Sequence, residues 1–425
     1  MTELARLSEC LESPEARGRS HLHSVLGRMV CSRSYAALLL TLAVTTGTAP
    51  LAWTYRTGNY VWAVAVSSDG RHAIAGSDDM RTYFFDTKSS ENQLLWSLAT
   101  SGYVRQVAIS KNGEYAAAGD SEGNVFLFHP TELSATPAWH FKTGSSIVAI
   151  SMVEDGKYLA VGNRQGDLLV FGTGLAEPLI KRFSIYGGVL AIALSGSGAL
   201  AATGTRGGLY FFAETASASN FTWSFEGHMN FPLLTIAEHG EYIVLGGSDG
   251  HLYLIDRLGR LIDKQGLGGA ITALSTAKTA GYIVAGSTNG NVLLYRLDQR
   301  LQKLNSLQAH EPITSTAMSD DGGRISIACL NGTIWMFDEA MRRLVWTYET
   351  RTIVHSLSMS SDGRVMAAAS DAGSVYLFDE GTSDVSHGEP LIVSQATLFA
   401  MILGSIAIGY LVLRRRMKRR PEEER

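Results

Sequence analysis

Cysteine is nearly absent from this chain, with three in 425 residues, at positions 10, 31 and 329. Cys10 and Cys31 precede the main body, which leaves Cys329 without a disulfide partner there, and no pair has metal-ligand or thioredoxin spacing. The body is expected to be held by packing alone. Proline is equally scarce, nine against 44 glycines, so the glycines indicate many tight turns rather than a disordered or collagen-like chain. Cations are short as well: between Leu51 and Glu389 there are 24 Lys and Arg against 33 Asp and Glu. A body with that acidic excess lacks the clustered cations that displace counterions from phosphate, and this argues against a nucleic-acid partner.

Long apolar runs are confined to two places. Leu391 to Leu413 is 23 residues without a charge, long enough to cross about 30 Å of hydrocarbon as a helix. Arg414, Arg415, Arg416, Lys418, Arg419 and Arg420 follow at once. Dense cations beside a span stay on the cytoplasmic side, so this tail is expected inside and the body outside. Residues 35–50 are apolar but shorter. They follow Arg28 and Arg33 and end in small residues, the order of a signal peptide cut near Gly47 or of an uncleaved anchor. Residues 1–34 then form a basic N-terminal segment, with Met29 an alternative start, and 381–390 a short stalk.

Between these segments the chain repeats itself. A turn glycine recurs at Gly70, Gly113, Gly156, Gly198, Gly240, Gly281, Gly322 and Gly363, four of them in Asp-Gly and one in Asn-Gly. Such dipeptides suit tight hairpins in which both central residues take positive φ. Five residues earlier (six in the sixth repeat) stands a small side chain: Ala65, Ala108, Ser151, Ala193, Thr235, Ser275, Ala317 and Ser358. A small column in phase is what close approach of neighbouring units near a crowded axis would select. A second turn follows, at Met80, Gly123, Gly166, Gly208, Gly250, Gly290, Gly332 and Gly373, and each leads into an aliphatic or aromatic strand.

The period in the low forties, with four short strands per unit, is that of a β-propeller. The fourth strand often carries Trp, at Trp96, Trp139, Trp223 and Trp346. The same pattern appears at Trp53, before the first full repeat, and is missing after the eighth. The reading is therefore an all-β, eight-bladed propeller over residues 51–380, in which the N-terminal strand completes the last blade and leaves no open sheet between first and last.

At this point the sequence resembles two repeat families. Phe337-Asp338 through Leu344-Val345-Trp346 is similar to the quinoprotein (PQQ-like) repeat, in which an Asp, a turn and a Trp recur, and Ile255-Asp256-Arg257-Leu258-Gly259 is a partial copy. Glu226-Gly227-His228 followed by Ser248-Asp249-Gly250 looks like a WD40 repeat, where the His and Asp join a structural hydrogen-bond network. His310 is similar, but Asn331 stands where the Asp would be. The resemblance implies a fold and leaves the function open.

Chemistry is sparse on this scaffold. A quinone-dependent dehydrogenase shares the eight-bladed ring, but the sequence holds no adjacent cysteine pair and no cluster of Asp, Glu and Asn outside the repeated turns. The five Trp residues keep strict phase and are expected to pack between blades rather than stack a ligand. The histidines lack the short spacing of a zinc site. Asn220 and Asn331 head glycosylation triplets. No catalytic residue, cofactor, metal or small-molecule substrate is assigned.

The expectation is a non-enzymatic, membrane-anchored, extracytoplasmic propeller that serves as a platform for protein partners. The partner is expected to be membrane-associated, because the stalk is short, and a role in assembling envelope or membrane proteins follows from that. The alternatives are a quinone-dependent dehydrogenase-like enzyme and an extracytoplasmic ligand sensor.

Overall fold

A computed structural model describes residues 47–382, except 90–92, 130–133, 176, 214–219, 227–229, 237–240, 278, 280 and 339. The expected span at 391–413, its basic flank Arg414 to Arg420, the signal segment, most of the stalk and Gly240 all lie outside the described residues. Among the described residues no helix is long and apolar enough to cross a membrane.

Among the described residues there are eight sheets, seven with four strands and one with five. Each is an antiparallel meander running from an innermost to an outer strand. The innermost strands are Val61–Val66, Val104–Ile109, Ile147–Met152, Val189–Leu194, Leu233–Ile236, Ile271–Thr276, Ile313–Met318 and Val354–Met359, which number the blades one to eight. The outer strand of blade 8 is Leu51–Arg56. It pairs antiparallel with Ser374–Asp379 and sets Thr54 opposite Tyr376 and Tyr55 opposite Val375. The ring is thus an eight-bladed propeller closed by its own N-terminal strand. Gly47–Thr48 adds a fifth strand, parallel to the outer strand of blade 7 at Trp346 and Thr347.

Strand direction divides the ring into two faces. One carries the crossovers between blades and the turns between second and third strands; here it is called the crossover face. The opposite face carries the turns between first and second and between third and fourth strands. The third strand of blade 8 runs toward the opposite face, so the chain leaves the ring there at Phe378. By its contacts the chain divides into Met1–Phe378 and Asp379–Arg425. The ring is the first unit, and the described part of the second ends in a short 3-10 turn, Glu380–Thr382.

The core is distributed. Eight hydrophobic clusters are found, one between each adjacent pair of blades. Because both sheet faces are covered, second strands such as His72–Ser77 and Val365–Ser370 are buried almost throughout. Four of the repeated tryptophans bridge blades. Each packs on an aromatic 32 residues further on, in the next blade: Trp53 on Phe85 (5.3 Å) and Trp96 on Phe128 (4.7 Å) with tilted rings, Trp139 on Phe171 (5.1 Å) and Trp346 on Phe378 (5.0 Å) stacked. Trp223 differs, stacking on Phe211 of its own blade (4.8 Å) while its indole N–H donates to the Arg257 carbonyl of the next (2.8 Å). Blade 3, without Trp, packs Phe183 on Phe212 of the next blade (4.5 Å), and in blades 5 and 6 polar side chains make the link. The Asp263 carboxylate accepts from the Leu301 N–H (3.0 Å), and the Asn305 amide donates to the Ala340 and Met341 carbonyls (3.2 and 3.0 Å).

The first turns depart from expectation in their type. Gly70, Gly113, Gly156, Gly198, Gly322 and Gly363 have φ between 67° and 74°, but the residue before each (Asp, Asn or, at Gly198, Ser197) does not share the left-handed region. The turn is instead a wider loop in which the Gly70 N–H donates to the Ser67 carbonyl (2.9 Å). The Ser67 hydroxyl donates to Asp69 (2.6 Å) and accepts from the His72 N–H (3.0 Å). A Ser ahead of the turn thereby does what a second left-handed residue would do in a two-residue hairpin. A Cβ on Gly70 would also lie 2.8 Å from Val365 of blade 8, so glycine there serves close packing as well as φ.

Gly281 (φ 63°) is displaced by one residue: its carbonyl accepts from Leu297, the role of Arg71 toward Thr87 in blade 1. The loop itself is no longer, since Ser275 pairs with Val284 as Ala65 pairs with Ile74; only the glycine stands one position later, which explains its longer spacing. In the second turns Met80 takes the left-handed conformation (φ 62°), whereas Gly208 lies in extended strand.

Candidate functional site

Equivalent residues of different blades meet around the central axis, and that is where the non-repeating chemistry lies. The small column is in contact there through hydroxyls. Ser358 accepts from the Val66 N–H (3.0 Å), Ser151 accepts from the Leu194 N–H (3.2 Å), and Ser275 and Thr316 share a bond of 2.8 Å.

On the opposite face the channel ends in a cavity of about 290 Å³ lined by blades 1, 2, 3, 6, 7 and 8. Lys111 reaches across it. Its ammonium lies 3.0 Å from both Glu154 of blade 3 and Asp320 of blade 7. Burial opposes the charge on Lys111, but the two carboxylates outweigh it and hold its pKa above the ordinary lysine value. Backbone bonds run around the same rim: Thr279 to Asp320, Asp320 to Ser361, Ser361 to Ser68, Ser68 to Lys111 and Lys111 to Glu154, each N–H donating to the next blade's carbonyl at 2.9–3.0 Å. From blade 6 round to blade 3 this rim is tied together by charge and by backbone.

The crossover face is different. Three residues before the small column stand Trp62, Arg105 and His355, in blades 1, 2 and 8. The Trp62 and His355 rings stack at 4.1 Å, and the Arg105 guanidinium lies 4.9 Å from the Trp62 ring and 5.5 Å from Tyr103. Asp78 clamps Arg105 through two bonds of 3.0 Å, and the Asp78 hydrogen bond raises the arginine's pKa further. Burial pushes the His355 pKa below the usual histidine value, although Asp371 and Asp78 pull the other way. The buried Trp62 Nε1 and His355 Nε2 have no hydrogen-bond partner. Around this mouth are the exposed tyrosines Tyr60, Tyr103 and Tyr186, with Met80 and Leu330. A fixed cation over an aromatic ring, with tyrosines about it, is the composition of a protein-contact hot spot rather than of a catalytic site.

The residues singled out in the sequence mostly build the ring. Seven of the eight first-turn glycines are described and all lie on the opposite face. Trp53, Trp96 and Trp346 are buried between blades, and Trp139 and Trp223 are partly buried. Asn220 and Asn331 are both exposed, in blades 4 and 7, each capping a nearby backbone N–H with its own side-chain oxygen. Asp249 does form a network, but with Tyr253 (2.6 Å) and His251 (2.8 Å); His228 lies outside the described residues. Asp338 is held well below the usual carboxylate range by Arg343, with Arg324 also beside it. Cys329 is buried, and desolvation raises its thiol to about 12. Among the described residues no three His, Cys, Asp or Glu side chains are grouped as a metal site would require.

Sequence reasoning did not pick out Trp62, Arg105 or His355. The available signal was positional: at that phase the other repeats carry Val148, Leu190, Pro232, Thr272 and Thr314.

Comparison with known proteins agrees with this picture. The WD domain, G-beta repeat family matches residues 51–86, 301–338 and 342–379. The passage around Asp338 that resembles a quinoprotein repeat straddles the last two of these segments. No curated protein matches the sequence. Among solved structures, Sqt1 from Chaetomium thermophilum superposes with a TM-score of 0.70 at 14% identity, over 80% of this chain and 100% of that one. The same protein bound to the N-terminus of ribosomal protein L10 gives 0.68 at 15%, over 78% and 100%. The C-terminal WD40 domain of Sif2 gives 0.68 at 14%, over 79% and 99%. At such identities the likeness is one of fold. The chain is an eight-bladed β-propeller carrying WD40 repeat matches in its first and its last two matched segments, residues 51–86, 301–338 and 342–379.

Proposed function

We propose that this propeller is a non-enzymatic platform for a protein partner, and that it works through its crossover face. The observation that carries the reading is the Trp62, Arg105 and Tyr103 contact on the crossover face, with exposed tyrosines around it. Tyr, Trp and Arg present large contact area at low entropic cost. The opposite rim is tied by Lys111 and offers no comparable group among the described residues. Two similar folds point the same way: Sqt1 is seen with a ribosomal protein segment, and another neighbour is part of the mitotic checkpoint complex.

Membrane attachment through residues 391–413 and an extracytoplasmic ring belong to the same proposal. They rest on the uncharged run and the cations that follow it. The stalk, residues 381–390, is short, which favours a membrane-associated partner.

Full-length protein carrying Tyr60→Ala and Tyr103→Ala is expected to lose its co-purifying partner from native membranes, whereas Leu258→Ser retains it. Equal recovery from both variants would contradict the reading. A cysteine placed at Arg425 should react with an impermeant thiol reagent only from the cytoplasmic side.

A further inference from the structure

Arg164 and Arg206 occupy the same position in the second turns of blades 3 and 4, on the crossover face. The corresponding residues elsewhere are Asp78, Ser121, Ser248, Thr288, Leu330 and Asp371. Both arginines are exposed. Several cations of this ring are engaged: Arg105 by Asp78, Arg260 by Asp256, Lys111 by two carboxylates. Among the described residues no side-chain hydrogen bond or ion pair holds the guanidinium of Arg164 or Arg206. They are the two basic residues at this position of the second turns, in neighbouring blades of a body with nine more acidic than basic residues.

Between them runs the crossover from blade 3 to blade 4. It passes through Gly187 (φ 93°) and Gly188 (φ 74°), conformations that L side chains rarely adopt, and Tyr186 is 90% exposed at its tip. The crossover is seated against both arginine turns. A Cβ on Gly188 would lie 3.1 Å from the Arg164 carbonyl, and one on Gly187 would lie 3.7 Å from the Arg206 nitrogen. Tyr186 is therefore presented by a backbone of fixed shape, seated between the backbones of the two arginine turns.

We propose that Arg164, Tyr186 and Arg206 form the docking patch for an acidic segment of the protein partner. The inference deepens the platform reading and rests on it. A guanidinium fork matches a carboxylate with two parallel hydrogen bonds, and a lysine or serine in its place would not. Tyr186 supplies a flat apolar surface with one hydroxyl between the two forks. At the corresponding turns blades 8 and 1 carry Asp371 and Asp78 instead, Asp78 being paired with Arg105. An acidic segment finds no guanidinium at that turn position there and is favoured over blades 3 and 4.

The test uses the full-length chain in non-ionic detergent and a fluorescent deca-glutamate peptide bearing a benzophenone, with deca-lysine as the control. Cross-links are mapped by mass spectrometry, so that adducts on the basic tail are counted separately from those at the 185–189 crossover. Deca-glutamate is expected to label the crossover, less so at high salt. Arg164→Ser combined with Arg206→Ser should lower that labelling about tenfold, with unchanged circular dichroism. Tyr186→Ala should lower it several-fold, and Arg71→Ser with Arg364→Ser on the opposite face should leave it unchanged. Equal labelling of wild type and the double arginine variant, or no preference over deca-lysine at the crossover, overturns the proposal. If that occurs while the Tyr60 and Tyr103 variants still lose the partner, the platform reading stands and only the acidic segment falls.

Discussion

The Lys111 ammonium of blade 2 lies 3.0 Å from the Asp320 carboxylate of blade 7, although 209 residues separate them in the chain. Such a bond exists only in a closed ring. Replacing Lys111 with Met leaves Asp320 and Glu154 facing one mouth without a cation. With all three side chains partly exposed, the expected loss is about 1 kcal/mol. It should appear as a lower urea midpoint at constant slope, and should shrink when Glu154→Gln is added.

Closure also depends on Trp53. This residue sits on the N-terminal strand, is 8% exposed, and packs against Phe85 of blade 1. Trp53→Ala is expected to cost about 3–5 kcal/mol, the range for truncating a large buried aromatic. A loss below about 1 kcal/mol would mean that the strand does not seal the ring.

Met80 holds φ 62°, where the matching residue in most blades is glycine, and its side chain is 41% exposed. Met80→Gly relieves a left-handed strain of about 1–2 kcal/mol but adds freedom to the unfolded chain. The net expectation is a stabilisation of about 0.5–1 kcal/mol, visible as a higher melting temperature.

His355 gives the ring a pH dependence. Its folded pKa lies below that of the unfolded chain because burial against Trp62 disfavours the cation. As pH falls through about 6.5 the unfolded chain takes up the proton first, so this contribution to stability is full above that value and declines below it. His355→Gln should melt with a smaller difference between pH 7.5 and pH 5.5 than the unaltered protein.

The ring was legible in the sequence because each blade obeys the same constraints at the same phase. A first-turn glycine must clear the preceding blade, as Gly70 clears Val365. A small residue must fit the axis, as Ser358 does beside Val66. The displaced Trp53 strand could have only one partner sheet. What repetition did not reveal were local solutions of equal merit: Ser67 supporting a wider turn, Gly281 shifted by one residue, Asp263 and Asn305 doing by hydrogen bond what Trp does by stacking elsewhere. The site was illegible for a related reason. Trp62, Arg105, His355 and Tyr186 belong to no repeated pattern, and only the closed ring brings blades 8, 1 and 2 together at one mouth.

The most direct test of the account replaces single residues with a photo-reactive benzoylphenylalanine and irradiates native membranes. Tyr60, Tyr103 and Tyr186 report on the crossover face, Leu175 and Leu258 on the opposite one. The account predicts adducts to the same protein from the three tyrosine positions and none from the two leucine positions. Adducts from Leu175 or Leu258 alone would contradict it.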